Sequence, residues 1–249
     1  MKLSNKIHIH PFAYFIILAS LLTGLFKYLL IIGSIVLIHE LGHVLIAKIF
    51  KRKITSITFL PFGGLIKMDS YISEDIFEDL LISIGGILFQ LLLAVITQFL
   101  YKLDIIDFEL FKFINLYNTL IISFNLLPIN PLDGAKMVKL FEELFIPFKK
   151  TFILSFVISS CTLFLFAIFK FDTMRDNLFI FIFLVYSILE EMKNRKYILN
   201  RFYIERMNRD FNFNKKIHIK SKDEMYKNRN NIINGRNEKI FLLREYRVK

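Results

Sequence analysis

Residues 28–50 form an apolar run that is long enough to cross a bilayer as one helix, yet a cluster of three ionisable side chains lies inside it, before Lys48 near its end. These are His39, Glu40 and His43. Inserting a charged residue at bilayer depth costs about 2.5–3.5 kcal/mol on insertion scales, so ionisable groups in such a segment indicate a functional site. The run therefore predicts a membrane helix that carries chemistry.

The three ionisable residues form the pattern H-E-x-x-H. Positions i and i+4 share one face of a helix, so His39 and His43 can present two imidazole nitrogens to one metal ion. Glu40 lies about 100° round the helix, within reach of a water on that ion. In this pattern the histidines bind zinc and the glutamate acts as general base. The pattern predicts a catalytic zinc site.

The whole chain has the composition of an integral membrane protein, since 55% of its residues are apolar and 29 are Phe. The predicted fold class is an all-α integral membrane protein with about six transmembrane helices. Gly85 and Gly86, in the third span, favour a close approach of two helices. The predicted spans are residues 12–26, 28–47, 80–100, 113–127, 151–169 and 177–189.

Residues 54–67, between spans two and three, alternate weakly and are too short and too broken to span as a helix. They predict a short β hairpin or a re-entrant loop. An extended substrate segment could add to a free strand edge of such a hairpin. The candidate residues for substrate-strand docking are Ile57, Thr58, Phe62, Gly63 and Gly64.

The net positive charge of the chain lies in its C-terminal part. Residues 192–249 contain 17 Lys/Arg and 6 Asp/Glu, which accounts for the whole net charge of +11. The chain is therefore predicted to divide into a six-span membrane domain, residues 1–191, and a basic cytoplasmic tail, residues 192–249. Basic residues collect on the cytoplasmic side of a membrane, which places both termini of this multi-pass protein in the cytoplasm. No recognition motif for nucleic acid accompanies the tail, so the expected contact is the lipid bilayer.

In this topology His43 lies near the cytoplasmic end of span two, and Asp133 lies just beyond the cytoplasmic end of span four. Asp133 is therefore the best-placed third metal ligand, although a turn-forming role in Leu-Asp-Gly is an alternative. A single cysteine, Cys161, excludes a disulfide framework and a Cys-ligated zinc site. The rival oxygen ligands are Asp69, Glu142 and Glu143.

The predicted reaction is hydrolysis of an amide. Zinc lowers the pKa of a bound water, and Glu40 accepts the proton as that water attacks a carbonyl carbon. Asn125 is a candidate donor to the peptide or its oxyanion, and an interhelical hydrogen bond is its alternative role. Two other classes remain open, a catalytically inactive membrane scaffold of the same fold and a metal or ion transporter. The intact His/Glu/His/Asp set disfavours the first, and its clustering at one membrane face disfavours the second.

Residues 37–43, LIHELGH, and 125–134, NLLPINPLDG, resemble the two motifs of the site-2 protease family of intramembrane zinc metalloproteases. The resemblance implies that His39, His43 and Asp133 bind one catalytic Zn²⁺ and that Glu40 is catalytic. Members usually carry a Gly-Pro pair in the third span, where this chain has Gly85-Gly86, so that helix is expected to bend differently.

Residues 6–12, 60–64 and 190–197 further resemble the sporulation branch of this family. That resemblance implies cleavage of a membrane-associated segment of a sigma factor precursor, restrained by inhibitory membrane partners. It also implies location in a bacterial inner membrane or in the membranes between mother cell and forespore. The branch ends in a nucleotide-sensing CBS-like module, and the short tail here predicts an abbreviated remnant of it.

Overall fold

The computed structural model describes residues 7–9, 11–60, 63–69, 72–73, 75–169 and 178–247. The described chain is mostly helical, in partial agreement with the predicted all-α class, but it also contains two small sheets, of which the second, in the C-terminal part, was not predicted. Its helices are α1 (Pro11–Leu22), α2 (Phe26–Ile49), α3 (Ile76–Lys102), α4 (Phe108–Asn125), α5 (Asp133–Phe145), α6 (Phe148–Phe169), α7 (Leu178–Asn208) and α8 (Glu238–Arg247). Its strands are β1 (Ile7–Ile9), β2 (Lys53–Leu60), β3 (Gly63–Asp69), β4 (Lys216–Ile219), β5 (Asn230–Ile233) and β6 (Arg236–Asn237), with one 3₁₀ turn at Lys222–Glu224.

Three of the described helices are long and apolar enough to cross a membrane: α2, α3 and, over Phe148–Ile168, α6. Many of their large apolar side chains are exposed, among them Leu88, Leu91 and Val95 on α3. Contiguous apolar surface of this kind is unfavourable in water and is stabilised by contact with lipid. The count of six spans stays a prediction.

The first sheet has the strand order β1-β2-β3. β2 and β3 pair as antiparallel strands from Lys53↔Asp69 to Leu60↔Gly63, and β1 pairs parallel to β2. In that register Ile57 and Thr58 of β2 lie opposite residues of both β1 and β3. Both edges of β2 are therefore occupied at these two residues, where the sequence led us to expect a free strand edge. Among the described residues, the unpaired edges of this sheet are the outer edges of β1 and β3.

The chain divides into two compact units, and the first contains Met1–Ser70 and Leu81–Asn125. Within this unit, α2 and α3 cross at two glycines. A Cβ atom at Gly42 would lie 2.3 Å from the carbonyl oxygen of Gly85, a distance that no real side chain allows. The two backbones are in direct contact here, which confirms the close helix approach predicted from Gly85-Gly86.

The second unit contains Tyr71–Leu80 and Leu126–Lys249. In it, β4 pairs parallel to β5, and β5 pairs antiparallel to β6. The sheet and α8 pack with the start of α6 and the second half of α7, so residues of the predicted tail share a hydrophobic core with the start of α6. The core residues are Phe148, Phe152, Leu199, Phe202, Tyr203, Ile219, Met225, Ile233 and Leu242.

Candidate metal centre and active site

His39 and His43 lie one turn apart on α2, and both side chains are buried. Their Nε2 atoms are 3.0 Å apart, and their ring planes are inclined at 85° to each other. The two imidazoles therefore converge on one point, as the i, i+4 spacing predicts.

The hydrogen bonds on the far side of each ring fix its tautomer. His43 Nδ1 lies 2.7 Å from the carbonyl oxygen of Ile82, which can only accept, so Nδ1 carries the proton. His39 Nδ1 lies 2.9 Å from Oε1 of Gln90 and donates to it with the amide in this orientation. Both Nε2 atoms are then lone-pair donors that face each other, an arrangement that repels unless a cation lies against both. The pair fits a metal ion.

Gly86 explains why α3 can lie directly behind the histidines. A Cβ atom at this position would come within 2.5 Å of both His39 Cε1 and His43 Nε2. Any side chain here would displace the imidazoles, so the glycine leaves them the space they occupy. Ile82 and Gln90 of α3 thus accept hydrogen bonds from the Nδ1 atoms of the two rings, and Gly86 of the same helix leaves room for the imidazoles.

Asp133 is the first residue of α5, and its side chain is buried. The backbone before it is tightly folded, with hydrogen bonds from Ile129 N to Leu127 O and from Leu132 N to Ile129 O. A Cβ atom at Gly134 would lie 2.2 Å from the carbonyl oxygen of Leu126, so this backbone lies directly on the first turn of α5. The close contact fixes where α5 begins, and Asp133 with it.

The structure brings His39, His43 and Asp133 together. One ligand atom from each lies within 4.8 Å of the other two, and all three residues are buried. Two imidazole nitrogens and a carboxylate oxygen are donors that zinc accepts, and three protein ligands leave a fourth position open for water or substrate. The chemistry of this donor set fits a catalytic zinc ion.

The other predicted chemical groups lie in three different places. Glu40 is buried on α2, and Asn125 is the half-buried last residue of α4. The rival ligands Glu142 and Glu143 lie in the last turn and a half of α5 and are not part of the metal-binding group. Glu143 instead forms a buried ion pair with Lys227, at 3.0 Å.

The predicted docking residues belong to the first sheet. Ile57 and Thr58 lie on β2, and Gly63 and Gly64 begin β3, paired with Leu60 and Phe59. Phe62 lies outside the described residues. Of these docking residues, only the two glycines therefore lie on a strand with an unpaired outer edge in the described sheet.

The sequence did not single out Gln90 and Asn118, which support His39. Asn118 is buried on α4 and donates from Nδ2 to the carbonyl oxygen of Gln90, at 2.9 Å. Gln90 is fully buried on α3 and holds the ring of His39. A signal was present, because amide side chains inside apolar spans usually bond across helices. Nothing local assigned them to the histidine, since that pairing joins residues 51 positions apart.

Comparison with known proteins places these features in a family. Residues 27–106, which include the H-E-x-x-H segment, match the model of Peptidase family M50. Zinc metalloprotease MJ0392 of Methanocaldococcus jannaschii is 34% identical over 116 residues, covering 45% of this chain and 33% of that protein. The solved Site-2 Protease from the same organism aligns with a TM-score of 0.57 and 24% identity, over 74% of this chain and 89% of that one. This last likeness supports the fold.

The chain belongs to Peptidase family M50, the site-2 proteases. The evidence is a relative that is 35% identical over 232 residues, in an alignment that covers 91% of this chain and 81% of the relative. That relative is the Stage IV sporulation protein FB of Bacillus subtilis. The protein is an intramembrane metalloprotease, and the family together with the His-His-Asp group indicates zinc. The family and activity predicted from the two motifs are confirmed.

Proposed function

We propose that His39, His43 and Asp133 hold one zinc ion and that Glu40 is the general base of peptide hydrolysis. The observation that carries the proposal is the pair of buried Nε2 atoms 3.0 Å apart, each ring fixed by an acceptor at Nδ1. Asp133 supports it as the third ligand, because it is buried and within reach of both histidines. The bound zinc would polarise the scissile carbonyl and lower the pKa of the attacking water.

Glu40 accepts the proton of that water and returns it to the leaving amine. The residue follows His39 directly on α2 and is 8% exposed, so its carboxylate acts where bulk water does not compete for the proton. Asn125, at the end of α4, donates to the substrate peptide or to the oxyanion that develops on it.

The substrate segment docks as an added strand on β3, in the part that begins with Gly63 and Gly64. Support comes from the strand order, which leaves the outer edge of β3 unpaired among the described residues. A membrane helix must unwind before its peptide bonds can be attacked, and pairing with a strand edge stabilises the extended form.

The substrate is a precursor protein with a membrane-associated segment, and we assign it to the class of sporulation sigma factor precursors. This assignment is supported by 35% identity to a stage IV sporulation protein over most of both chains. The proposal also includes inhibitory membrane partners and a six-span topology with both termini in the cytoplasm. It places the protein in the bacterial inner membrane or in the mother-cell and forespore membranes.

The test is cleavage of a candidate precursor by purified protein in detergent, with the zinc content of each sample measured in parallel. Wild type should cut, Glu40→Gln should retain zinc and lose cutting, and Asp133→Ala should lose zinc and cutting together. Equal cutting by wild type and Glu40→Gln would refute the assignment of the base. Full zinc content in Asp133→Ala would refute the ligand set.

A further inference from the structure

The tail segment Met225–Arg229 fits closely around the corner between α5 and α6. The backbone N–H of Phe148, at the start of α6, donates to the carbonyl oxygen of Met225, at 2.9 Å. Nη2 of Arg229 donates to the carbonyl oxygen of Leu144, in the last turn of α5, at 3.3 Å. Met225 itself is 1% exposed. The segment is therefore part of the structure around α5.

Lys227 lies in the middle of this segment, and its ammonium group is buried. Its Nζ atom lies 3.0 Å from a carboxylate oxygen of Glu143 and 3.3 Å from one of Asp79. Burial alone would lower the pKa of Lys227, but the two carboxylates outweigh it and raise the pKa above its ordinary value. The ammonium is thus charged, and its geometry is set by two anions on two helices.

The backbone of Lys227 is held as firmly as its side chain. Arg206 on α7 is fully buried, donates to the carbonyl oxygens of Tyr226 and Lys227, and pairs with Glu238 at 3.0 Å. Because its main chain is hydrogen-bonded to Arg206, Lys227 keeps its position relative to α7. It therefore binds the two carboxylates at a fixed place.

The two anions lie on helices that carry parts of the metal centre. Asp79 is in the first turn of α3, three residues before Ile82, whose carbonyl accepts from His43. Glu143 is near the end of α5, ten residues after Asp133, or about 15 Å of helix rise. A short helix transmits a displacement of one end to the other, because its hydrogen-bonded backbone is stiff along its axis.

We propose that Lys227 is a positioning residue for the metal centre: it holds the last turn of α5 to the first turn of α3 and thereby fixes where Asp133 presents its carboxylate. The inference rests on the proposed ligand role of Asp133. It gives the C-terminal segment an indirect part in metal binding, although that segment lies almost 100 residues beyond the last ligand.

The experiment measures the zinc affinity of the purified full chain by competition with a chelator, and its thermal midpoint in the same detergent. Lys227→Met should weaken zinc binding about 3–30-fold, the range in which residues that contact neither site change binding at a distance. Lys149→Met is the matched control, because Lys149 also joins the tail to α6, through Asp223, in a half-exposed ion pair. It should leave zinc affinity unchanged.

Repeating Lys227→Met in the Asp133→Ala background separates positioning from general destabilisation. If Lys227 acts through Asp133, removing it should change zinc affinity less than about twofold once Asp133 is gone, because the two effects are not additive. Should Lys227→Met not fold, Lys227→Met with Glu143→Gln removes both buried charges and takes its place in both backgrounds.

Two results overturn the proposal: wild-type zinc affinity in Lys227→Met, or an equal loss with and without Asp133. If Asp133→Ala itself keeps full zinc affinity, the ligand set of the proposed function fails and this inference falls with it. If Asp133→Ala loses zinc while Lys227→Met does not, only the positioning role falls.

Discussion

Gly42 on α2 lies directly against Gly85 on α3, with room for no Cβ atom at either position. This contact sets the distance between the helix that carries the histidines and the helix that supports them from behind. It also brings the next residue, Gly86, to within van der Waals contact of both imidazoles.

Gly42→Ala should therefore force α2 and α3 apart. We expect a loss of about 1–3 kcal/mol in the free energy of unfolding from overpacking, because the new methyl group would meet backbone rather than a flexible side chain. Zinc content should fall as well, since the histidines lose their acceptors on α3. Thermal midpoints and zinc content of the purified variant check both.

Gly33→Ala on the same helix is the control, because a Cβ atom there meets nothing within 4 Å. It should be neutral or stabilising, as alanine is the better helix former. Normal zinc content in Gly42→Ala would mean that the histidine pair does not depend on the close crossing.

Gln90→Leu should weaken zinc binding about 10–100-fold while leaving the fold intact. The substitution removes the acceptor that keeps the His39 proton on Nδ1, so the ring is free to protonate Nε2 or to turn. Chelator competition measures the change. Gln98→Leu, at an exposed position of the same helix, should bind zinc like wild type. Equal affinity in the two variants would refute a role for the Gln90 amide.

Glu142 should make stability depend on pH. Burial raises the pKa of its carboxyl from 4.5 to about 7, with Lys139 opposing the shift and Glu143 and Glu191 adding to it. The folded protein therefore binds a proton that the unfolded chain releases, and the free energy of unfolding falls as the pH rises from 4.5 to about 7.

Glu142→Gln removes that titration, so the variant should gain thermal stability over wild type as the pH rises from about 5 to about 8. Thermal midpoints across this range measure the difference. Glu190→Gln, at an exposed position of α7, should follow the wild-type curve. A constant offset between Glu142→Gln and wild type at every pH would contradict a raised pKa at Glu142.

Leu242→Ala should destabilise the second unit by about 2–5 kcal/mol, because Leu242 is completely buried in its core and the substitution leaves a cavity. The neighbouring Leu243 is 39% exposed on the same helix, so Leu243→Ala should have a much smaller effect. Thermal unfolding distinguishes them. Equal midpoints would mean that α8 contributes little to the core.

The sequence by itself determined the chemistry of the site and the family. Helix periodicity is local, so His39 and His43 had to share a face wherever α2 lay. Apolar runs of bilayer length are enough to predict a membrane protein, without any knowledge of tertiary contacts. The distribution of basic residues set the predicted topology, and in that topology Asp133 lies at the same membrane depth as His43. The sequence is enough for this step, because the positive-inside rule depends only on where the basic residues lie along the chain.

Tertiary structure decided what surrounds those residues. The pairing of β1 with β2 closed the strand edge expected at Ile57 and Thr58, because a partner strand far away in sequence leaves no local trace. Gln90 was joined to His39, and Lys227 to Glu143 and Asp79, by packing alone. Buried polar groups must find partners, and in this chain the partners lie on other helices, where no local pattern can assign them.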